Sequence, residues 1–422
     1  AAAGEHARRL ADMAVEETGF GKKEDKELKN RFAATTLYEA IRDEKTHGIL
    51  AENREKRTID IGVPVGIVAG LVPSTNPTST VIYKSMICMK AGNPIIFSPH
   101  PSAVNCILET VNVVRRAAEG AGAPAGSISC ITTPTLEATN ALMRHDDTRL
   151  ILATGGGAMV KAAYSSRTPP IGMKKHFPTY IHHTADVRLA VKRILDSKTF
   201  DNGTICASEQ SIVVERRMEG AVTAELKAQG AYLLDDEEHR LLSKFILRPN
   251  GTMNPAIVGK SVETVAKLAG LTRVPPTARV LVARETGVGP GYPYSNEKLG
   301  LILAYYVEDS EEAVLRRCVE ILEWEGAGHP HRGCRHRQAL CRRRPRQPRA
   351  GQHPRRPGRH RGHHLPVPRP HPGVRRGGRL VQLQQHRPPG SHQHQAGGLG
   401  RQRAGGAAGE PPRGRVCPLC RG

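Results

Sequence analysis

The sequence predicts an α/β fold built on parallel sheets, and two observations carry this prediction. Apolar runs of strand length alternate with segments of helix length over residues 65–153, and a similar alternation returns over residues 185–325. Strands separated by helices of this length form parallel βαβ units with helices on both faces of the sheet. A third observation, the change of composition after residue 330, predicts a tail that lacks this architecture.

The composition divides the 422-residue chain into a balanced body and a basic tail. The whole chain holds 62 basic and 40 acidic residues, but residues 330–422 contain 22 arginines, no lysine and one acidic residue, Glu410. The tail also lacks isoleucine, phenylalanine, tyrosine, tryptophan and methionine, so it cannot bury enough apolar surface to offset the entropy of ordering. We therefore expect residues 330–422 to be a disordered, arginine-rich tail.

Residues 5–45 predict helices ahead of the first sheet. Apolar residues recur there at helical spacing, and the run Thr18-Gly19-Phe20-Gly21 separates a first helix from a second one over residues 24–43. The second helix carries an apolar stripe that we expect to be a packing layer, formed by Leu28, Phe32 and Tyr38.

The first alternating region predicts a doubly wound, Rossmann-like sheet. Strands are expected at 65–72, 94–97, 127–131 and 150–153, and helices at 78–90, 103–119 and 136–144. In such sheets ligands bind outside the carboxyl ends of the strands. The loops that follow these strands are therefore candidate binding loops.

Two of these loops carry chemistry. In the loop Val72–Thr80, the side-chain amide of Asn76 can face a ligand, although a capping turn rich in serine and threonine has the same composition. In the loop Ala153–Val160, glycines ahead of a helix let the backbone approach a pyrophosphate, although a tight turn fits equally well.

Cys206, in the run Lys198–Ser211, is a candidate nucleophile. It follows an Asn202-Gly203 turn, and we expect a helix to open at Ser208, where free backbone N–H groups would favour a thiolate. A buried core cysteine fits the local sequence equally well, so the local residues alone leave both interpretations open.

The longer string Lys198-Thr-Phe-Asp-Asn-Gly-Thr-Ile-Cys-Ala-Ser-Glu-Gln-Ser211 closely resembles the catalytic segment of CoA-acylating aldehyde dehydrogenases, which occur alone or as the front half of bifunctional aldehyde-alcohol dehydrogenases. The run Pro94-Ile-Ile-Phe-Ser-Pro-His-Pro101 also resembles the acylating members. The resemblance covers about residues 5–329. Its start suggests that the N-terminus is truncated.

This resemblance implies an aldehyde dehydrogenase-like α/β fold. It places a Rossmann-like NAD-binding domain over residues 1–181 and an α/β catalytic domain, incomplete in this chain, over residues 182–329. The β-prone run Thr58–Ile61 corresponds to a strand that bridges subunits in the family, whose members are homo-oligomers.

The resemblance also implies roles for individual residues. Cys206 is the catalytic nucleophile, and Asn76 supplies an oxyanion donor. It implies that Glu297 binds the nicotinamide ribose of the cofactor. The other residues that it implies in cofactor binding are Thr154, Gly155, Gly156, Gly157, Ser98 and His100. The implied cofactor is NAD, and the implied substrates are a small aldehyde and coenzyme A.

The acyl acceptor is implied by a loop that lacks a carboxylate. Hydrolytic relatives carry a Glu-Leu-Gly-Gly-Lys loop whose glutamate activates water, whereas the aligned run Pro170–Pro178 has no acidic residue. Transfer of the acyl group to CoA is therefore favoured over hydrolysis. Acylating relatives have a Gly-Ala-Gly-Asn type run where this chain has residues 173–177, and the bulky cationic residues there would either activate the cysteine or obstruct the acyl pocket.

The composition of the tail is typical of a GC-rich gene translated one base out of frame, and shifting the frame yields family-like sequence. We therefore expect the chain as written to be inactive and poorly folded beyond Glu325. A basic nucleic-acid-binding tail is the competing interpretation, but it lacks the aromatic residues that stack on bases.

Three further expectations concern environment and ligands. The body contains five cysteines without paired spacing, and no signal peptide or membrane-length apolar run is evident, so a reducing cytoplasm is favoured. No metal site is expected, because the pair Cys417 and Cys420 lacks a second pair of suitable spacing. Two classes of function remain: an NAD-linked acylating oxidoreductase, with hydrolytic oxidation as a variant, and a non-catalytic basic nucleic-acid-binding protein.

Overall fold

The computed structural model describes residues 1–55, 57–172 and 177–326, all of which lie in one compact unit. Residues 173–177, where the sequence differs from that of acylating relatives, lie outside the described residues except for Phe177. The predictions for the tail from residue 330 onward also fall outside them.

Four helices precede the first sheet: α1 (Ala2–Glu5), α2 (Ala7–Thr18), α3 (Lys23–Arg31) and α4 (Leu37–Ile41). Gly19 ends α2 in the left-handed region, with φ of 67°, so the predicted break is confirmed. A π-helical turn, Phe32–Thr36, joins α3 to α4.

The predicted packing stripe on the second helix is wrong. Leu28, Phe32 and Tyr38 are 56%, 40% and 49% exposed. The buried face of α3 instead carries Lys26 and Asn30, because each finds polar partners. Asn30 donates to the carbonyl of Ala7 at 3.0 Å and accepts from the hydroxyl of Thr78 at 2.7 Å.

An antiparallel ribbon follows, formed by β1 (Gly48–Asn53) and β2 (Thr58–Gly62). The strand predicted at Thr58–Ile61 is thus confirmed. Ile59 and Ile61 are more than half exposed. The role of this strand as a bridge between subunits stays a prediction.

The first sheet has five parallel strands in the order β5-β4-β3-β6-β7. Its elements are β3 (Ile67–Val72), α5 (Pro77–Lys90), β4 (Ile95–Pro99), α6 (Val104–Gly120), β5 (Ile128–Cys130), α7 (Leu136–Arg144), β6 (Thr148–Ala153), α8 (Gly157–Tyr164) and β7 (Pro170–Gly172). The chain runs outward from β3 in one direction and then resumes at β6 on its other side. A ligand crevice is expected at this reversal, between the loops that leave β3 and β6.

The second sheet is also five-stranded and parallel, in the order β10-β11-β12-β9-β8. Its elements are β8 (Pro178–Ile181), α9 (Val187–Thr199), β9 (Ser211–Glu215), α10 (Glu219–Ala228), β10 (Ala231–Leu233), α11 (Asp236–Ile246), α12 (Val262–Ala269), β11 (Val280–Arg284), β12 (Ile302–Glu308) and α13 (Glu311–Gly326). The predicted α/β fold is confirmed. The strand β8, which the predicted boundary after residue 181 assigns to the first domain, pairs with the second sheet.

Both sheets are buried on their two faces. All five residues of the inner strand β9 are buried, and separate apolar clusters cover its opposite sides. Continuous apolar runs such as Ile212-Val213-Val214 are typical of parallel strands enclosed by helices. Within the described ranges, no helix has the length and apolar character that crossing a membrane requires.

Candidate active site

The loop ahead of Cys206 has an unusual backbone. Asp201, Asn202 and Gly203 lie one after another in the left-handed region, with φ of 48°, 50° and 74°. A side chain at Gly203 would bring its Cβ to 2.5 Å from the carbonyl oxygen of Gly300, so only glycine fits there. Left-handed residues other than glycine cost of order 1 kcal/mol or more, and such strain concentrates at functional sites.

No helix opens at Ser208, so that prediction is wrong. Cys206 itself lies before this point. It lies in a turn that the Ser208 amide closes onto the carbonyl of Ile205 at 3.1 Å. The chain then enters β9, because the amide of Gln210 donates to the carbonyl of Phe177 instead of continuing a helix. A helix beginning at Ser208 therefore supplies no dipole to this cysteine.

The structure brings Asn76 to the cysteine loop. Asn76 lies in the loop after β3, at the N-cap position of α5. Its Nδ2 donates to the carbonyl of Thr204 at 3.0 Å and to the Thr75 hydroxyl at 3.2 Å. Thr204 lies two residues before Cys206. The two predicted catalytic residues thus lie on loops that touch each other.

A buried carboxylate, Asp201, ties helix α3 to the same loop. Its side chain is fully buried and accepts hydrogen bonds from the amide of Lys22 at 2.7 Å and the hydroxyl of Thr204 at 2.6 Å. It also accepts from the ammonium groups of Lys26, at 3.0 Å, and Lys29. Burial raises the pKa of Asp201, but the two lysines and the hydrogen bonds outweigh it and hold the pKa below its usual value.

Lys29 reaches from α3 into the site. Besides Asp201, its ammonium group donates to Oδ1 of Asn76. Burial and the neighbouring Lys26 lower the pKa of Lys29 to about 8, against the opposing attraction of Asp201 and Cys206. Lys29 is therefore within electrostatic reach of the nucleophile.

Tyr83, on α5, contacts the loop after β6 and lies within electrostatic reach of Cys206. Its hydroxyl lies 3.2 Å from Oγ1 of Thr154, in the loop that follows β6. Burial raises the pKa of Tyr83 to about 12, and Cys206 adds to the rise, so this tyrosine stays neutral near the nucleophile.

The glycine loop lies at the predicted crevice. Gly156 caps α8 with φ of −63°, a conformation open to any residue, and a Cβ built on it would meet no atom within 4 Å. Neither backbone strain nor internal packing therefore requires glycine at this position. The exposed helix start leaves room for a ligand, and the pyrophosphate contact of Thr154–Gly157 stays a prediction.

A buried lysine holds the two sides of this crevice together. Lys84 donates to the carbonyls of Leu71 and Leu152, each at 2.7 Å, near the ends of β3 and β6. Burial lowers the pKa of Lys84 to about 7. The lysine thus fixes the spacing of the strands from which both binding loops emerge.

Ser98 and His100 lie at the end of β4, next to this crevice. Ser98 is buried, and its hydroxyl is 2.8 Å from that of Thr139 on α7. His100 is exposed, and its Nδ1 lies 2.8 Å from the hydroxyl of Ser102. Their placement fits the cofactor side, but the hydroxyl of Ser98 faces an internal partner, so a cofactor contact by either residue stays a prediction.

Glu297 lies on the loop between Pro293–Ser295 and β12, near a buried lysine of the cysteine segment. Lys198 donates to the carbonyl of Lys298 at 3.0 Å and to Oε1 of Gln210 at 3.3 Å. Burial lowers the pKa of Lys198 to about 7, opposed by attraction to Glu209 and Glu297. Both carboxylates therefore attract the same buried cation, Lys198.

Four residues of this site are not predicted from the sequence: Lys26, Lys29, Asp201 and Tyr83. The spacing of Lys26, Lys29 and Asn30 places three polar side chains on one side of a helix, and this was an available signal. The apolar stripe on the same helix pointed to the wrong face. The ion pairs of Asp201 leave no local signal, since its lysine partners lie 172 and 175 residues earlier in the chain.

Comparison with known proteins shows which family the chain belongs to. The model of the aldehyde dehydrogenase family matches residues 1–267. The bifunctional aldehyde-alcohol dehydrogenase AdhE of Escherichia coli (strain K12) is 47% identical over 322 residues, which make up 76% of this chain and 36% of that protein. This chain thus spans a little over a third of the length of such curated relatives.

Solved structures give the same result. An acetylating aldehyde dehydrogenase from Geobacillus thermoglucosidasius is 52% identical, with a TM-score of 0.73 over 78% of this chain and 72% of that chain. A propionaldehyde dehydrogenase from Rhodopseudomonas palustris, solved with bound CoA and an acylated cysteine, is 28% identical, with a TM-score of 0.64 over 75% of this chain and 71% of that chain. The resemblance to acylating enzymes is confirmed, and the chain belongs to the aldehyde dehydrogenase family.

Proposed function

We propose that this chain supplies the NAD-binding and catalytic regions of an enzyme that oxidises a short-chain aldehyde to an acyl-CoA, reversibly, through a thioester on Cys206. The contact between Asn76 and the cysteine loop, 3.0 Å from Nδ2 to the carbonyl of Thr204, is the observation that supports this most directly. This contact joins an amide donor to the loop that carries the nucleophile, which supports a role for both in attack on a carbonyl.

The first step is addition of the Cys206 thiolate to the aldehyde carbonyl. A carbon–sulfur bond forms, and the carbonyl electrons move onto oxygen to give a thiohemiacetal oxyanion. We assign the amide of Asn76 and the backbone N–H of Cys206 to that oxyanion. Losing one such donor typically costs about 3 to 4 kcal/mol in the barrier.

The oxyanion then re-forms the carbonyl as hydride leaves its carbon, and Cys206 is left as a thioester. The acceptor of this hydride would be supplied by bound NAD. We assign Thr154–Gly157 to the pyrophosphate, Ser98 and His100 to the adenosine side, and Glu297 to the nicotinamide ribose. The start of α8 and the free space at Gly156 support the pyrophosphate assignment.

The acyl group is then transferred from Cys206 to CoA. The CoA thiolate adds to the acyl carbon, Cys206 leaves as thiolate, and the acyl-transfer potential is conserved. Glu209 follows Cys206 by three residues. It is buried, and the charge of Lys198 attracts it together with Glu297, so we do not assign it as a base that activates water. The run Pro170–Pro178 supplies no carboxylate either.

Product analysis tests this function. NADH formation should require aldehyde and should continue over many turnovers only with CoA present, and Cys206→Ser should abolish it. The assay is run on the chain as written and on a version with the reading frame restored after residue 329. Rapid, sustained release of free acid without CoA would indicate a hydrolytic enzyme. Salt-sensitive nucleic-acid binding without NADH formation would favour the basic binding protein.

A further inference from the structure

Lys29 joins the oxyanion donor to a buried carboxylate. Its ammonium group donates to Oδ1 of Asn76 and to Oδ2 of Asp201. We propose that Lys29 is a positioning residue that fixes the Asn76 amide with its NH2 group toward the Cys206 loop. This inference rests on the proposed function and adds to it a residue on α3, outside both catalytic loops.

The direction of the amide follows from the chemistry of its neighbours. An ammonium group can only donate, so it selects the oxygen end of the amide. The carbonyl of Thr204 can only accept, so it selects the NH2 end. Rotating the amide by half a turn would set NH2 against the ammonium group of Lys29 and oxygen against the carbonyl of Thr204. Lys29 and Thr204 therefore exclude the orientation that would turn a carbonyl oxygen toward the developing oxyanion.

The position of Lys29 is itself fixed. Asp201, which holds it, is anchored by the amide of Lys22 and by the hydroxyl of Thr204. Because Thr204 contacts both Asp201 and Asn76, the cation, the amide and the cysteine loop form one connected network. A small movement of the loop is thereby coupled to the orientation of the donor.

Lys26 shows what a purely structural lysine looks like here. It is buried beside Lys29, bonds to the same Asp201 oxygen and donates to the carbonyl of Thr75 at 2.9 Å. Its recorded partners do not include the Asn76 amide. Removing either lysine disturbs Asp201, but only removal of Lys29 frees the oxygen end of the amide.

Two reagents separate orientation of the donor from general damage, and neither needs NAD or CoA. p-Nitrophenyl acetate acylates Cys206. The Cys206 thiolate adds to the ester carbonyl and a tetrahedral oxyanion forms. The bond between the acyl carbon and the phenol oxygen then breaks and releases p-nitrophenolate. Iodoacetamide alkylates the same thiolate by displacement of iodide, with no oxyanion. The ratio of the two rates therefore reports oxyanion stabilisation, and Cys206→Ser gives the background for both.

We expect Lys29→Met to lower this ratio by about tenfold or more, somewhat less than the roughly hundredfold loss expected when the donor itself is removed. Lys29→Arg should recover most of the ratio. In Asn76→Ala, adding Lys29→Met should lower the ratio no further, because Lys29 acts through the amide. Lys23→Met, at an exposed lysine of the same helix paired with Glu16, is the matched control and should leave the ratio unchanged.

The proposal is overturned if Lys29→Met leaves the ratio unchanged, or if its effect adds fully to that of Asn76→Ala. A fall in both reagent rates by one common factor also overturns it, since that result shows loss of folding alone. Failure of the dehydrogenase assay would count against the proposed function only. The ester and alkylation rates would still decide the role of Lys29, because they require neither nucleotide nor aldehyde.

Discussion

The Asn76 side chain donates a hydrogen bond to the backbone carbonyl of Thr204 across 3.0 Å. This contact joins the loop that leaves the first sheet to the loop that enters the second. The residues are 128 positions apart in the chain. Neither sheet alone can therefore assemble the site, and packing of one against the other sets the distance between donor and nucleophile.

Asn76→Ala should lower the rate of aldehyde oxidation by roughly a hundredfold or more, while NAD affinity changes little. The lost amide stabilises charge that exists mainly in the transition state, so its removal acts on turnover rather than on binding. Steady-state kinetics of the frame-restored chain, together with a fluorescence titration with NAD, check this. Equal turnover in variant and parent would remove Asn76 from the oxyanion site.

Asp201→Asn should lower the free energy of unfolding by roughly 3 to 5 kcal/mol, because Lys26 and Lys29 are left partly buried without their counter-charge. The measurement is chemical denaturation near neutral pH. Glu16→Gln, which breaks an exposed ion pair with Lys23, is the control and should cost less than about 1 kcal/mol. A loss no larger at Asp201 than at Glu16 would contradict the inferred importance of the buried network.

The ester-to-alkylation ratio of Cys206 should fall as pH rises through about 8. Below that pH Lys29 is protonated, and above it the neutral amine holds the Asn76 oxygen less firmly. The charged groups facing Lys29 are Lys26 on its own helix and Asp201 and Cys206 on the loop that α3 contacts. Both reactions need the thiolate, so titration of Cys206 cancels in the ratio.

Lys29→Arg tests this assignment, because arginine stays protonated across this range. Its ratio should stay flat from pH 7 to about 9. A parallel fall in the arginine variant would show that some other group causes the pH dependence.

Helix and strand periodicity was sufficient to predict the framework of both sheets. The helix at Leu136–Arg144 begins and ends where the sequence predicts. A clear boundary stands in the chain there, because the side chain of Thr135 caps the helix ahead of Leu136. Local signals suffice where local chemistry ends an element.

The surroundings of Cys206 could not be predicted in the same way. The expected helix at Ser208 competes with β9 for the same residues, and pairing with β8 and β12 decides for the strand. The contacts of Lys29 with Asn76 and Asp201 join residues 47 and 172 positions apart. A pattern read along one helix records only that a polar side chain is present, so such partners become visible only in the folded chain.

Gly156→Ala should weaken NAD binding by tenfold or more, about 1.4 kcal/mol, without lowering stability. The native φ of −63° suits alanine, and a Cβ there meets no protein atom within 4 Å, so folding has no reason to suffer. If the pyrophosphate lies against the start of α8, the same Cβ occupies the space through which the ligand approaches the backbone. Isothermal titration with NAD measures the affinity, and thermal unfolding without ligand measures stability.

Gly220→Ala on α10, where a Cβ likewise meets no atom within 4 Å, is the matched control and should leave NAD affinity unchanged. Unaltered affinity in Gly156→Ala would move the pyrophosphate away from this loop, whereas a drop in unfolding temperature in that variant alone would mean that the glycine serves the fold.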